Sequence, residues 1–511
     1  MIDVSRQRRV GIILSYLSLI LNTLISLFYT PLMLSSLGQS EYGLYQLAFS
    51  VTNYLTLLNL GLSGSYNKFF TKLKADENEE GLKRLNAMFV VIFAAMSVVA
   101  IVIGLGLSLN VSFIFKKSLT PEEIGIGRTL LVLMTFNVAV TLSTTPYTSS
   151  INANERFIFY RIVLIATYIL HGAGSVAVLL LGGKSIALTL VSLTLAGISI
   201  IVQFIFCKLQ LRYTISFRGF RYSEFKELFV FSMFILLYDL INQLNWGIDK
   251  IILGIEVGTV GVAVYGIASQ LNTYYMKIST TISTVFIPQV NQMVVAIKDQ
   301  DEKRKSLSDL MIRIGRIQFF AVGLVLSGYI IFGKQFIALW AGVGYEKSYY
   351  IGLWLMIPIT VDLIQNIGTH ISRAEDLHRP ITACFFFVAL TNAILSVIFC
   401  RLYGAVGCAM ATAFTVICGH GFFLNWYYSK KIGLHIKCFW LSIIRIIPAL
   451  IPCFLIGLTC SKFILIRSYT MLGICIIGYT LLYVISVYFI AMNNSEKNMV
   501  KRVFRYFHLY Q

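Results

Sequence analysis

The chain spells out nearly the same unit twice. Shifted by about 220 residues, the sequence superimposes Gly38 on Gly258, Tyr45 on Tyr265, Ala48 on Ala268, Tyr54 on Tyr274, Ile151 on Ile371 and Glu155 on Glu375, without gaps. Matches at turn and polar positions carry more weight than shared Leu or Ile, which coincide by chance in apolar sequence. Two equivalent bundles facing each other make a site at their interface that either bundle can open by rocking, the arrangement of many secondary transporters. The repeats are expected at 1–215 and 216–430 as two six-helix lobes, with 431–511 supplying two extra helices and a tail.

Composition sets the solvent in which these bundles fold. With 57% hydrophobic and 13% charged residues and a mean hydropathy of +0.77, the chain reads as an all-α polytopic membrane protein. Stretches long enough to cross a ~30 Å hydrocarbon core recur along it. About fourteen are expected, near residues 10–35, 43–67, 86–109, 126–150, 158–181, 185–207, 226–248, 259–287, 310–332, 351–371, 381–399, 404–428, 438–461 and 468–492. The seventh, eighth and tenth are the most polar. No cleavable leader is expected, because the first apolar run is too long and has no small-residue cleavage site.

The net charge of +19 is explained by placement. Lys and Arg alternate by loop, roughly three to one in favour of the side holding both termini, which predicts cytoplasmic termini in a plasma (inner) membrane. That bias accounts for the basic balance without a nucleic-acid partner. The nine cysteines and six histidines show neither CxxC nor HExxH spacing, so no metal site is expected. There is no P-loop or nucleophile motif, and the outer loops are short, the longest spanning about 333–350. A membrane glycan polymerase is disfavoured for want of an outer catalytic loop, no cofactor is implied, and energy must come from a gradient.

Polar residues inside the spans mark candidate sites. In the seventh span Tyr238, Asn242, Asn245 and Asp249 share one helical face, and Asp239, Gln243, Trp246 and Lys250 the adjacent one. The first span places Ser18, Asn22 and Tyr29 at matching positions. In the second and eighth spans Gln46, Ser50 and Asn53 map onto Gly266, Gln270 and Thr273, next to Tyr274. These residues are expected either to line a cavity or to bond helix to helix. One turn on, Leu57 maps onto Lys277, a cation in only one of two equivalent helices. It suits a diphosphate, an ion pair with Asp239 or Asp362, or snorkelling to the interface. Asp239, Asp249 and Asp362 are candidates for H⁺ or Na⁺, since intramembrane carboxylates are costly and usually retained for function. Arg313 and Arg316 read as cytoplasmic anchors, and His171 as a weaker candidate.

The run Pro31-Leu-Met-Leu-Ser-Ser-Leu-Gly-Gln-Ser-Glu-Tyr-Gly-Leu-Tyr, then Asn59-Leu-Gly-Leu, and Asp249-Lys-Ile-Ile-Leu-Gly leading to Val264-Tyr-Gly-Ile-Ala, resemble the bacterial oligosaccharide flippases. These form the polysaccharide-biosynthesis branch of the multidrug, oligosaccharidyl-lipid and polysaccharide exporter superfamily. The resemblance covers about 1–490. It implies movement of undecaprenyl-diphosphate-linked glycan units to the outer leaflet by alternating access, with ion coupling, in company with polymerase and glycosyltransferase machinery. A drug/cation antiporter of the same superfamily is the main alternative. Peptidoglycan-precursor flippases share the fold but carry arginines in the first helix, whereas 10–39 is uncharged here, which argues against lipid II as substrate.

Overall fold

Fifty consecutive residues form the first helix, α1 (Val4–Asn53), about 75 Å of helix at ~1.5 Å per residue and far more than one bilayer needs. The excess is resolved at Gly38, whose φ of 72° and ψ of 175° break the helical path. A glycine reaches these angles without steric cost, so the chain turns within the polar segment 35–41 and α1 becomes two spans. Similar breaks recur at the period of the sequence repeat. Residues with positive φ pair as Gly38 with Gly258, Glu155 with Asp376, Gly182 with Gly404 and Arg212 with Gly433. The duplication is thus carried by the backbone as well as by side chains.

The computed structural model describes residues 4–59, 61–116, 118–217, 222–464, 466–498 and 501, with the side chains of 4, 8, 222–235, 237 and 238 excepted, and every regular element within them is helical. They form two compact units, one running to Gly266 and including Cys400–Ala405, the other comprising Ile267–Phe399 and the residues from Val406 onward.

In the first unit α1 leads through a 3₁₀ turn, Tyr54–Asn59, into α2 (Leu62–Ala75), α3 (Glu79–Leu109), the short α4 (Val111–Ile114), α5 (Pro121–Ala153), α6 (Phe157–Leu180), α7 (Ser185–Gln210) and α8 (Tyr222–Glu256). Two of these helices, α3 and α5, start with side-chain caps. The Asn78 side chain accepts from Gly81 N at 2.7 Å, with Glu79 and Glu80 in the first turn of α3. Thr120 and Glu123 form a capping box on α5, with Pro121 at its first position. The core is aromatic: Tyr66, Phe70, Phe89 and Phe93 stack in series among buried Leu and Met.

The second unit begins within α9 (Thr259–Val285) and continues with α10 (Ile287–Ala296), α11 (Gln300–Trp340), α12 (Lys347–Gln365), α13 (Ile367–Ala374) and α14 (Arg379–Val416). A π-helical turn, Ile417–Phe423, joins α14 to α15 (Leu424–Tyr427); α16 (Ile436–Ile444), α17 (Ile447–Phe463) and α18 (Tyr469–Ser486) follow. The last helices are held firmly. Tyr479 donates to Ser327 Oγ at 2.6 Å and Tyr483 to the Phe320 carbonyl at 3.0 Å. Arg316, expected as a cytoplasmic anchor, is instead buried: its Nε and NH2 donate to the two oxygens of Glu496 at 2.6 and 2.9 Å, and NH2 also reaches the Ala491 carbonyl. Glu496 follows the last span in sequence, and only folding back of the chain shows it as the partner.

Among the described residues nine helical segments are long and apolar enough to cross a membrane, ten if α12 and α13, bent by 42°, form one span. Fourteen were expected. Two of the nine, Ser5–Ala75 and Arg379–Ile432, each contain two expected spans, with non-helical dihedrals at Gly38 and Gly404 respectively. The expected eighth span falls in α9, whose polar residues lower its hydropathy, and the expected seventh in α8, much of which lies outside the residues whose side chains are described. Outward faces present Ile12, Phe28, Val98, Leu180, Ile474 and Phe489, all exposed, as helices solvated by lipid do. The chain is a multi-pass membrane protein.

Candidate functional site

Two polar regions stand out, one in each unit. In the first, the face of α1 bearing Gln46, Ser50 and Asn53 meets the face of α8 bearing Gln243, Gly247 and Lys250. Asn53 Nδ2 donates to Gln243 Oε1 at 3.0 Å, Ser50 Oγ to the Gly247 carbonyl at 3.0 Å, and Lys250 Nζ to Gln46 Oε1 at 3.1 Å. Tyr54 adds a bond to the Gln243 carbonyl at 3.2 Å. A Cβ at Gly247 would lie 2.7 Å from Gln243 Nε2, so a larger residue would displace the amide that Asn53 binds. The seam is neutral except for Lys250, and its strength lies in number of bonds, since interhelical hydrogen bonds in membranes average only about 0.6 kcal/mol each.

The same unit contains a cavity of about 200 Å³ lined by Tyr45, Asn53, Asn137, Thr141, Thr189 and Ser192 among others. His171 shares a hydrogen bond with Ser192 at 3.0 Å, and Tyr29 packs edge-on against the His171 ring at 6.3 Å. Tyr29, His171 and Asn53 therefore converge on one hydroxyl- and amide-rich region. Asn137, Thr141 and Ser192 were missed from sequence, although Asn137 and Thr141 are spaced i, i+4 ahead of Ser143, Thr144 and Thr145, a polar stripe that could have marked them. Asn22 is half-buried elsewhere on α1.

The other α8 candidates separate. Asn245 and Asp249 are buried, and Asp249 accepts from Tyr265 OH at 2.5 Å. Asn242 and Trp246 are half-buried and Asp239 is exposed. The side chain of Tyr238 lies outside the described residues.

In the second unit a ladder runs along α9, with Tyr274 between Gln270 and Lys277 where the sequence stripe had Thr273. Gln270 Nε2 donates to Tyr274 OH at 2.8 Å, and Lys277 Nζ sits 5.8 Å from the Tyr274 ring centroid, an i, i+4, i+7 series on one face. The opposite face packs inward, with Tyr275 OH against Thr360 Oγ1 at 2.7 Å and Ser279 Oγ donating to the Leu363 carbonyl at 2.9 Å. Tyr274 also lines an apolar cavity of about 330 Å³ with Leu271, Ile278, Phe332, Met356 and Tyr479. The ion pair between Lys277 and Asp362 that the sequence allowed does not form. Asp362 Oδ1 lies instead 2.7 Å from His420 Nδ1, a histidine absent from the sequence candidates.

Residues 32–348 match the model of a family described as "Polysaccharide biosynthesis protein". Among solved structures, the chain is 16% identical to the lipid II flippase MurJ in its inward closed conformation, with a TM-score of 0.69 over 93% of this chain and 98% of that one. An inward-facing multidrug resistance MATE family transporter of the MOP superfamily is 14% identical, with a TM-score of 0.62 over 82% and 95%. The MATE multidrug transporter DinF-BH in complex with R6G is 13% identical, with a TM-score of 0.57 over 84% and 96%. These likenesses establish the fold. No curated protein matches the chain in sequence.

Proposed function

Because the chain belongs to the polysaccharide biosynthesis protein family, matched over most of its length, we propose that it moves undecaprenyl-diphosphate-linked oligosaccharide units from the cytoplasmic to the outer leaflet of a bacterial plasma membrane. The observation that carries the reading is the α9 ladder. It sets a lysine beside the rim of an apolar cavity lined by the ring on which that lysine rests. A lipid diphosphate has the matching chemistry: an apolar chain for the cavity and an anion for Lys277, whose ammonium attracts phosphate more strongly where water is scarce. The amide- and hydroxyl-lined cavity of the first unit suits neutral sugar hydroxyls.

Transport would follow from alternating access of the two repeats, 1–215 and 216–430. The α1–α8 seam joins helices from the two repeats through neutral bonds that are individually weak, which suits a contact that must part and re-form. Both termini lie in the cytoplasm on this reading, with polymerase and glycosyltransferase machinery as partners and H⁺ or Na⁺ as the driving ion. The uncharged first span, 10–39, supports a substrate other than lipid II.

The likeness to multidrug transporters favours one second reading, a drug/cation antiporter. Lys277 separates the two, because an ammonium repels a cationic drug and attracts a diphosphate. In a strain lacking the chromosomal gene, Lys277→Ala at normal membrane levels is expected to restore less than a tenth of surface glycan, with Lys277→Arg restoring more. Full restoration by Lys277→Ala, or drug sensitivity as the main defect of the deletion, would favour the antiporter.

A further inference from the structure

Asp362 and His420 come from distant parts of the chain and meet inside the second unit. His420 is 6% exposed. Its ring lies flat on Phe385, with centroids 4.4 Å apart and an interplanar angle of 8°, so ring rotation is blocked. Nδ1 is at ion-pair distance from Asp362, yet neither ring nitrogen has an aligned hydrogen bond among the described residues. The contact is therefore mainly electrostatic, and Nε2 remains a buried nitrogen without a protein partner. Backbone geometry supports the placement. His420 sits in the π-helical turn Ile417–Phe423, where the widened winding disturbs the α-helical bond pattern, and its carbonyl is taken up by Gln365 Nε2 at 2.6 Å. A Cβ at neighbouring Gly419 would lie 2.3 Å from Val388, so α14 holds this turn close.

Other ionisable groups lie on the packed elements, and Tyr428 interacts electrostatically with both Asp362 and Arg373. Tyr275 of α9 bonds Thr360, Arg316 of α11 is committed to Glu496, and Tyr428 shares a hydrogen bond with Thr369 at 2.8 Å. His370 and Arg373 lie together on α13, close enough for their positive charges to repel; Arg313 of α11 and Arg373 have interactions of their own, and Cys384 of α14 is half-buried. Lys277 lies on the side of α9 away from α12. Among the described residues His420 is the titratable base nearest to Asp362, with Nδ1 2.7 Å from Oδ1.

We propose that Asp362 and His420 form a proton-binding site of the second unit, and that the driving ion of the transport proposed above is H⁺ and not Na⁺. The inference rests on that transport reading. With one proton the pair is a carboxylate beside an imidazolium and is neutral overall. Losing that proton to water leaves a single negative charge in a low-dielectric site, and taking a second leaves a single positive one. Both charged states are costly in a membrane interior. Release is therefore restricted to a conformation in which water reaches the pair, which ties proton movement to exposure of one side. A Na⁺ ion needs several oxygen ligands, whereas here the nearest neighbour of the carboxylate is a nitrogen that becomes cationic on protonation and repels metal ions.

The test uses the full chain in lipid nanodiscs with ¹⁵N-labelled histidine, titrated as wild type, Asp362→Asn and His420→Gln, in KCl and in NaCl at equal ionic strength. The His420 signal is assigned by its loss in His420→Gln. Replacing Asp362 is expected to shift the His420 midpoint by at least about one pH unit, as removal of an adjacent charge does, and exchanging K⁺ for Na⁺ should leave it in place. An unchanged midpoint in Asp362→Asn, or a midpoint moved by Na⁺, would overturn the assignment. Should Asp362→Asn not fold, infrared titration of the Asp362 carboxyl in wild type and His420→Gln reads the same coupling from the other side. No transported lipid is needed, so the titration can fail while flipping is intact, or stand while the flippase reading fails.

Discussion

The polar region of the first unit and that of the second are built from different chemistry. The α1–α8 seam is a row of side-chain and backbone bonds, Asn53 to Gln243 and Ser50 to Gly247, neutral apart from the bond of Lys250 to Gln46 and without a carboxylate facing it in those bonds. The second unit holds ionisable groups at close range, the ion pair of Arg316 with Glu496 and the contact of His420 with Asp362. Neutral bonds inside a membrane cost little to break because the separated groups find other partners, so such a seam can open and close. A buried charge without its partner has no such escape. The first arrangement favours movement, and the second fixes structure or retains an ion.

The largest effect that would sharpen this contrast is expected at the Arg316 clamp. Arg316→Ala leaves Glu496 charged and buried, at a cost of about 3–5 kcal/mol, and should appear as a clear fall in thermal unfolding temperature of the detergent-solubilised protein. Replacing both residues with apolar side chains of similar volume should recover most of the loss. If Arg316→Ala unfolds with the wild type, the clamp does not anchor the C-terminal helices.

A smaller effect is expected where helices approach most closely. A Cβ at Gly43 would lie 1.9 Å from the Thr259 carbonyl oxygen, so Gly43→Ala must push α1 away from the start of α9, costing about 1–3 kcal/mol as overpacking does. Cysteines placed at Ser40 and Thr259, whose hydroxyls stand 3.2 Å apart, should cross-link readily in the parent and poorly in Gly43→Ala. Equal cross-linking would break the account of this contact. The smallest effect is expected at the seam. A double-mutant cycle of Asn53→Ala and Gln243→Ala should give a coupling of about 0.6 kcal/mol and no more than ~1.7. A coupling of several kcal/mol would mean that the seam locks the helices, and would erase the difference between the regions.

How much of this was legible in the sequence depended on the range of the contact. The Gln270, Tyr274 and Lys277 ladder lies within one helix, so the 3.6-residue period was enough to place it, apart from Tyr274, which the sequence set beside the stripe. The seam was half legible: both polar faces could be read, but not that they would meet, because amphipathicity gives direction and not partner. His420 lies in an otherwise apolar stretch on a π-helical turn, where the α-helical period assigns the wrong face. Arg316 looked like an interfacial anchor because its partner, Glu496, follows the last span. The breaks at Gly38 and Gly404 were legible: the sequence divided its spans between 35 and 43 and between 399 and 404, where the backbone leaves the helical path.

The central claim is tested most directly by reconstituting the full chain in liposomes loaded with undecaprenyl-diphosphate oligosaccharide and reading, with a membrane-impermeant glycosidase, how much glycan becomes accessible from the opposite leaflet. The account predicts protein-dependent movement that falls at least tenfold in Lys277→Ala. Accessibility equal to protein-free liposomes, with active efflux of a cationic dye by the same preparation, would contradict it.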